Sequence, residues 1–343
     1  MSELKTNRQI VFTKKDTAEF LVTNVKQPGP SEVLIETAFS MLSCGTEKAN
    51  ITGDPNVAPD GPSCVKFPRY LGYSSSGVVV CVGENVKSVK PGDRVAAFGT
   101  VHAKYNTRPE SDVVKIDDAI SLQEAAMGYV TTFPMAAVRK TRVEIGESAI
   151  VMGLGLLGQL AVRYLRIAGA MPIVAVDPVK ERREEALQGG ADYAFDPFEP
   201  DFSTKVKEVT DGGANVGIEV TGVGAGLDGI LDCMARFGRV SLLGCTRNKD
   251  FSIDFYKKVH FPGITLIGAH TDARPEHESS GGWFTHRDDI NAVMKLCRGG
   301  RLDLLGMIKE THSPKDCVLV YQRLISDKNF PTVVQFDWRD IHA

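Results

Sequence analysis

The feature that most constrains the fold is a glycine-rich turn near the middle of the chain. The segment SAIVMGLGLLGQLAVRYLRIAGA places it between an apolar run and an amphipathic stretch. In a strand–turn–helix unit the first glycine permits a tight turn, the second lets a pyrophosphate approach the backbone, and the third lets helix and strand pack closely. The helix N-terminus then offers free N–H groups to phosphate. The pattern predicts a dinucleotide site formed by Gly153, Gly155, Leu156, Leu157 and Gly158.

The alternative to a dinucleotide site is an ordinary tight turn, which any α/β protein can contain. An acidic residue further along the chain favours the dinucleotide site. Asp177 ends the next apolar run, about 20 residues after the glycines, where the fingerprint expects an acid that binds the adenosine ribose. A carboxylate accepts hydrogen bonds from both ribose hydroxyls and repels a 2′-phosphate, so the cofactor is predicted to be NAD rather than NADP. Arg182 and Arg183 follow and offer positive charge to the cofactor; the alternative is a solvated helix face within ERREEA.

The spacing of apolar runs divides the chain into two regions with different predicted secondary structure. Up to about residue 115, short β segments beginning at Val33, Ser76 and Pro91 are separated by turn signals, which predicts irregular β structure. From about Ile120, strand and helix patterns alternate, which predicts a doubly wound parallel sheet with crossover helices. The predicted strands are 148–153, 172–177, 192–196, 216–222, 239–244 and 264–270. The closing PTVVQFDW is expected to rejoin the first region.

Composition narrows the partners. A length of 343 residues predicts about two domains. The net charge of -3 gives no electrostatic footprint for nucleic acid or an anionic membrane, so a small-molecule substrate is expected. No signal peptide or membrane helix is expected. The seven scattered cysteines form no CxxC pair, which argues against a disulfide framework and favours the cytoplasm.

Three further segments carry recognisable motifs. SCGTEKANITG at 43–53 is similar to a CGTD segment, FPRYLGYSSSGVVVCVGENVKSVKPGDRV at 67–95 to a GHE segment with its GDRV turn, and SLQEAAMGYVTTFPMAAV at 121–138 to an interdomain helix. Together with the mid-chain fingerprint they resemble the medium-chain dehydrogenase/reductase superfamily over nearly the whole chain. The resemblance implies an α/β fold. A GroES-like β domain would span 1–120, completed by 284–343, and a Rossmann domain would span 121–283, with coenzyme and substrate in the cleft between them.

The zinc ligands of that superfamily are largely replaced. Its zinc-dependent members use the Cys of CGTD, the His of GHE and a third acidic or thiol side chain. Cys44 is retained, but Tyr73 and Ser74 occupy the His and Glu positions of GHE, and Gly128 and Tyr129 stand near the third ligand. Because a catalytic zinc needs about three protein ligands and the four-cysteine lobe is also missing, no metal is expected. GTE combined with GYSSSG resembles a zinc-free branch that includes bacteriochlorophyllide dehydrogenase-like proteins.

Without zinc, another group must bind the reacting oxygen. The resemblance places Tyr73 where a phenol would donate to that oxygen, and Thr46 where a hydroxyl relays the proton in zinc-dependent relatives. His102 is a candidate general base, since an unperturbed histidine pKa near 6.5 suits that role. The remaining candidates are Glu47, Lys48 and Cys44. The alternatives are that Tyr73 fills the volume of the metal, that His102 lies at a strand edge, and that the cysteine is an inert thiol.

Further candidates follow the predicted strands, because ligands of open α/β sheets bind at the carboxyl ends of strands. The candidate coenzyme contacts are Thr221, Gly222, Val223, Gly244, Cys245, Thr246, Ala269, His270 and Thr271. Thr132 resembles the threonine that contacts the nicotinamide in this family. His260, Trp283 and His286 belong to an aromatic, histidine-rich stretch expected to overhang the substrate cleft; the alternative is a structured, partly exposed loop.

These features favour zinc-independent, NAD-linked oxidation of a secondary alcohol, or the reverse reduction, on a sugar, polyol or cyclitol derivative. One alternative is an enone or quinone reductase, which usually prefers NADPH, a cofactor that Asp177 disfavours. Another is a noncatalytic NAD-binding or crystallin-like protein. The superfamily commonly pairs its Rossmann sheets edge to edge, so a homodimer or homotetramer is expected, with 264–270 as the pairing edge.

Overall fold

A computed structural model describes residues 6–54, 65–246 and 250–342. The strands are β1 Thr6–Lys14, β2 Thr17–Asn24, β3 Glu32–Leu42, β4 Ser74–Val82, β5 Arg94–Phe98, β6 Tyr105–Pro109, β7 Val113–Lys115, β8 Ala149–Met152, β9 Ile173–Val176, β10 Tyr193–Phe195, β11 Ala214–Glu219, β12 Met234–Leu242, β13 Thr265–Gly268, β14 Glu310–His312 and β15 Val334–Asp337. The α-helices are α1 Cys44–Ile51, α2 Leu122–Ala126, α3 Gly128–Lys140, α4 Leu156–Ala168, α5 Lys180–Gln188, α6 Phe202–Val209, α7 Gly224–Asp232, α8 His286–Arg298 and α9 Cys317–Ser326.

The chain divides into two compact units. Unit 1 comprises Met1–Val130 and His286–Ala343, and unit 2 comprises Thr131–Thr285. Unit 1 holds most of the antiparallel strands, whereas unit 2 alternates strand and helix. Among the residues that the structure describes, no helix is both long enough and apolar enough to cross a bilayer.

Unit 1 is built on two sheets. β1 and β2 form an antiparallel pair, and a seven-stranded sheet follows the order β14-β15-β3-β4-β5-β7, with β6 also paired to β3. β15 runs antiparallel to β3, so the C-terminal segment completes this sheet. Trp338, Tyr321 and Phe336 from that segment are fully buried against Phe12 and Ile10 of β1.

Helix α2 belongs to unit 1 even though the alternating texture of the sequence begins at about Ile120. A capping box formed by Ser121 and Glu124 starts this helix. Two serines of β4 then donate hydrogen bonds to its carbonyl oxygens. Ser74 Oγ donates to Ala126 O at 2.6 Å, and Ser76 Oγ donates to Leu122 O. These bonds explain why the unit boundary lies beyond α2, within α3.

Unit 2 contains a six-stranded parallel sheet in the order β10-β9-β8-β11-β12-β13. Each strand overlaps one predicted segment, so the predicted doubly wound sheet is confirmed. β12 begins earlier than predicted, at Met234, because its pairing with β11 shifts register between Met234 and Arg239. The extra residues include Phe237, which is exposed and has a φ of 63°, so the apolar pattern breaks there. The sheet order reverses between β8 and β11, which is where such sheets bind ligands.

Candidate functional site

The glycine-rich turn of unit 2 shows a separate physical requirement for each glycine. Gly153 follows β8 with a φ of 96°, a conformation that favours glycine. Gly155 caps α4, and a Cβ built on it meets nothing within 4 Å, so open space lies above the backbone. A Cβ on Gly158 would lie 1.9 Å from the carbonyl oxygen of Gly153, so only glycine permits this packing. Leu156 and Leu157 open α4, where N–H groups lack helical acceptors. The turn can therefore bind a phosphate.

Asp177 follows β9 and is buried beside this turn. Its Oδ2 accepts a hydrogen bond from Leu154 N at 2.8 Å, and its Oδ1 accepts one from Val179 N at 2.8 Å. Each carboxylate oxygen can accept a further bond, so these contacts are compatible with ribose binding. The guanidinium of Arg182 lies 3.8 Å from the same carboxylate. Arg183 instead donates to the backbone oxygen of Asp177 at 2.7 Å and pairs with a second aspartate.

The turns that follow β11 and β12 pack backbone against backbone. A Cβ on Gly244 would lie 2.4 Å from Gly222 N, and one on Gly222 would lie 2.4 Å from Cys245 O. These close approaches require glycine at both positions. The side chains exposed on the two turns and available to a ligand are Thr221, Val223, Cys245 and Thr246.

The remaining candidates of unit 2 are spread over several elements. Ala269 follows β13, is buried, and donates from its N–H to Leu242 O at 3.2 Å, whereas His270 is exposed. Thr132 is buried in α3, and its carbonyl accepts from Arg274 Nη2 at 3.1 Å. Trp283 lies under Lys140, whose Nζ is 5.6 Å from its ring. His260 lies on an exposed π-helical turn, where its ring contacts that of Tyr256.

In unit 1, Tyr73 carries the hydroxyl best placed for chemistry. Its Oη donates to Ser43 Oγ at 2.5 Å, and its ring contacts Tyr129 edge to face, with centroids 5.6 Å apart. Burial raises the pKa of the Tyr73 phenol, the charge of Glu47 adds to this, and the bonds to Ser43 and Thr46 oppose it. The phenol therefore stays protonated at neutral pH and acts as a hydrogen-bond donor.

Four rings, Tyr73, Phe98, Tyr129 and His286, form what we call the aromatic cluster. Phe98 and Tyr129 stack with centroids 5.0 Å apart. His286, the first residue of α8, lies 4.6 Å from Tyr129 and 5.5 Å from Phe98. All four are half-buried. The cluster brings together Tyr73 and His286, which were singled out as site candidates from the sequence, and Tyr129, which the resemblance put near the third zinc ligand, and it adds Phe98.

Glu47 and His102 form a buried pair beside α1. They are 0% and 1% exposed, and His102 Nε2 lies 3.1 Å from Glu47 Oε2. The carboxylate also accepts from Tyr321 Oη at 2.5 Å and from Ser43 N at 2.8 Å. Both side chains are enclosed. Glu47 is linked to Tyr73 through Ser43, whose N–H donates to Glu47 and whose hydroxyl accepts from Tyr73. His102 is linked to Ser43 through Glu47.

The other ring nitrogen of His102 also has a buried partner. Its Nδ1 lies 2.7 Å from Ser40 Oγ, which accepts from Trp338 Nε1 at 2.8 Å. Both ring nitrogens of His102 therefore have buried partners, Ser40 on one side and Glu47 on the other. Burial and the Glu47 carboxylate raise the pKa of Tyr321, which remains a donor.

The side chains in this region do not match a catalytic zinc site. Cys44 Sγ is half-buried and contacts the carbonyl oxygen of Pro331 at 3.5 Å. Within residues 6–54, 65–246 and 250–342, no three His, Cys, Asp or Glu side chains are grouped to hold a metal ion. Cys64 lies outside the described residues. A catalytic zinc needs about three such ligands, so no reaction step is assigned to zinc.

Comparison with known proteins places the chain in a family. The model of the alcohol dehydrogenase GroES-like domain matches residues 29–141, and that of the zinc-binding dehydrogenase domain matches 157–280. The chain is 30% identical to L-threonine 3-dehydrogenase of Pyrococcus abyssi, over 87% of this chain and 88% of that protein. The chain therefore belongs to the medium-chain dehydrogenase/reductase superfamily, and the predicted GroES-like and Rossmann fold is confirmed.

Two further similarities extend the comparison. D-guloside 3-dehydrogenase of Escherichia coli is 26% identical over 63% of this chain and 63% of its own length. The crystal structure of benzyl alcohol dehydrogenase from Acinetobacter calcoaceticus superposes with a TM-score of 0.84 at 20% identity, covering 97% of this chain and 99% of that one. The relatives are dehydrogenases, which identifies this chain as an oxidoreductase.

Proposed function

We propose that this chain is a zinc-independent, NAD-dependent dehydrogenase that oxidises a secondary alcohol of a sugar, polyol or cyclitol derivative, or reduces the corresponding ketone. The observation that carries the proposal is the replacement of metal ligands by the Tyr73 phenol, held protonated by burial and bonded to Ser43. The similarity to enzymes named for L-threonine and D-guloside supports a hydroxylated substrate.

The glycine-rich turn and Asp177 fit the coenzyme. A Cβ on Gly155 would meet nothing within 4 Å, so a pyrophosphate can approach the backbone beside the first turn of α4. Asp177 is the residue that we assign to the adenosine ribose of NAD. When bound, the nicotinamide ring exchanges a hydride with the carbinol carbon of the substrate. The carboxylate favours NAD because it would repel the 2′-phosphate of NADP.

Unit 1 supplies the groups that act on the substrate oxygen. In ketone reduction, Tyr73 Oη–H turns from Ser43 to the carbonyl oxygen and donates to it as negative charge develops there, in place of a Lewis acid. The phenol proton completes the alcohol, and water replaces it along a path formed by the hydroxyls of Ser43 and Thr46, which bond to Tyr73. Oxidation runs the same steps in reverse, with the alcohol proton released to water. Glu47 fixes Ser43 through its backbone N–H and so holds the path in place.

A substrate panel tests the activity. The protein is incubated with NAD and polyols, cyclitols, sugars and glycosides, and the absorbance of reduced cofactor is followed. Oxidation of at least one hydroxylated compound is expected. Binding of NAD with no oxidation of any alcohol or reduction of any matching ketone would favour a noncatalytic NAD-binding protein, and reduction of enones or quinones with NADPH would favour the reductase alternative.

Metal content checks the zinc-free mechanism. Elemental analysis of fresh, untagged protein is expected to give well under one zinc per chain, because the resemblance aligns Tyr73 with the histidine ligand of zinc-dependent relatives and Tyr129 lies near the position of the third ligand. Chelators are expected to leave the activity intact. Stoichiometric zinc that is lost together with activity would contradict the mechanism.

Asp177 is expected to set the cofactor preference. Asp177→Ala should weaken NAD binding about tenfold or more and narrow the gap to NADP, since a charged hydrogen bond contributes about 1.5 to 3 kcal/mol. The carboxylate also accepts from Leu154 and Val179, so Asp177→Asn, which keeps an acceptor, serves as the milder variant. Titration calorimetry with both cofactors gives the affinities.

A control separates the charge of Asp177 from disturbance of the surrounding loop. Asp196→Asn breaks the nearby ion pair with Arg183, whose Nη1 lies 3.2 Å from Asp196 Oδ2, and leaves Asp177 in place. NAD affinity should then stay near that of the wild type. A wild-type preference for NADP would show that the role given to Asp177 is wrong.

A further inference from the structure

A buried carboxylate outside the residues discussed so far ends strand β11. Glu219 is 2% exposed and lies at the carboxyl end of that strand, next to β8, where the sheet order reverses. Ligands of doubly wound sheets bind in the crevice at this point. The glycine fingerprint does not include Glu219, and the reaction proposed above gives it no role. A buried acid at this position therefore calls for a physical explanation.

The carboxylate of Glu219 is held by the turn that follows it. Oε1 accepts from Thr221 N at 2.8 Å and Gly222 N at 3.2 Å, and it also accepts from the Thr221 hydroxyl. Oε2 accepts from Gly222 N at 3.2 Å. Thr221 Oγ1 in turn accepts from Val223 N at 3.2 Å. Burial raises the pKa of Glu219, and these bonds oppose that effect. Every partner is a donor, which is the arrangement that suits an ionised carboxylate.

The same turn packs directly on the glycine-rich turn. A Cβ built on Gly153 would lie 3.0 Å from Thr221 Cγ2 and 3.2 Å from Thr221 N. The backbone oxygen of Glu219 also accepts from Leu243 N and Gly244 N, each at 2.9 Å. One residue thus connects the turns that follow β11 and β12 and fixes the first of them against the turn that follows β8. Movement of the Glu219 side chain would shift Thr221 against the glycine-rich turn.

We propose that Glu219 is a positioning residue for the dinucleotide: its carboxylate orders residues 221–223 against Gly153 before the coenzyme binds. A site that is ordered in advance loses less entropy on binding, so the affinity is higher. The inference rests on the proposed function in its use of NAD as the ligand. Glu219 is given no contact with the reacting atoms. Its substitution should therefore change the affinity for the coenzyme and not the rate of hydride transfer.

Titration calorimetry of the full chain with NAD tests this role. Glu219→Ala is expected to raise the Kd for NAD about tenfold or more, which corresponds to loss of about one charge-assisted hydrogen bond. Glu219→Gln keeps an oxygen acceptor for Thr221 N and should recover part of the affinity. In steady-state assays the KM for NAD should rise with the Kd, while kcat at saturating NAD stays within about threefold, since binding alone is changed.

Glu147→Gln is the matched control. Glu147 precedes β8 at the opposite end of the sheet and pairs with Arg239, with Nη2 and Oε2 2.5 Å apart. Its loss should lower the melting temperature without changing the Kd for NAD. Amide hydrogen exchange at Thr221 and Gly222 should be faster in Glu219→Ala than in Glu147→Gln.

The outcomes separate the inference from the proposed function. Wild-type affinity in Glu219→Ala would overturn the inference, as would equal losses of affinity in the two glutamate variants. If Glu219→Ala does not fold, Glu219→Gln provides the test. Wild-type NAD affinity in that variant, together with faster amide exchange at Thr221 and Gly222, would also overturn the inference. Wild-type protein that binds no NAD would instead overturn the proposed function, and this is visible before any substitution is made.

Discussion

Tyr73→Phe is expected to lower turnover by about 100-fold to 1000-fold, the usual effect of losing a preorganised donor at a developing oxyanion. The NAD affinity should stay near that of the wild type, because the glycine-rich turn and Asp177 belong to unit 2. The phenyl ring keeps its contact with Tyr129, and only the bonds of the hydroxyl to Ser43 and Thr46 are lost, so the melting temperature should change little. Steady-state kinetics with the best alcohol of the panel, calorimetry with NAD and thermal unfolding give the three quantities.

Tyr105→Phe provides the control for removing a phenol from the same unit. Tyr105 lies on β6, and burial also raises the pKa of its hydroxyl, but it has no place in the proposed mechanism. Its substitution should leave turnover within about threefold of the wild type, well below the loss expected for an oxyanion donor. The same small change in Tyr73→Phe would show that the Tyr73 ring only fills space. The search for the residue that handles the proton would then move to Thr46, Glu47 and His102.

The glycine-rich turn of unit 2 could be predicted because its information is local in sequence. The glycines and Asp177 lie within one strand–turn–helix–strand unit, and each glycine answers a steric demand set by its immediate neighbours. The six strands were predictable because parallel strands are buried on both faces and read as apolar runs. The start of β12 was missed where Phe237 is exposed at a register shift, so that the apolar run is interrupted.

The candidate catalytic residues of unit 1 were less predictable because their contacts join distant segments. Tyr321 donates to Glu47 across a separation of 274 positions, and no local pattern marks either residue as part of a pair. The aromatic cluster draws its rings from β5, α3, α8 and the segment before β4. His102 was considered a base from the pKa of histidine in water, whereas its environment in the fold is an enclosed pair with Glu47. Burial of a single polar residue leaves no periodic signal in a sequence.

Glu219 shows the same limit within unit 2. Residues 216–222 were predicted to form one strand, with Thr221, Gly222 and Val223 along the coenzyme. An acid within a strand that is otherwise apolar was a visible irregularity. Its meaning depends on the donors that surround it, Thr221 and Gly222, and these become apparent only once the turn is folded.

Two alanine substitutions in the glycine-rich turn should both weaken NAD binding, but only one of them should lower the melting temperature. Gly158→Ala places a Cβ 1.9 Å from the Gly153 carbonyl oxygen, so α4 must move away from β8. Overpacking of this kind costs about 1 to 3 kcal/mol of unfolding free energy, so the melting temperature should fall by several degrees. The displaced helix N-terminus should lower kcat/KM for NAD by about 100-fold, since a shift of about 1 Å is enough for such a loss.

Gly155→Ala should leave the melting temperature unchanged, because its φ of -69° suits any residue and its Cβ meets nothing within 4 Å. The methyl group would occupy the space that we assign to the pyrophosphate, so the Kd for NAD should rise by about tenfold or more. Gly281→Ala, in another open position, is the control for adding a methyl group and should change neither quantity. Wild-type NAD affinity in Gly155→Ala would show that the pyrophosphate lies elsewhere, because a ligand that approaches the backbone at Gly155 cannot share that space with a side chain.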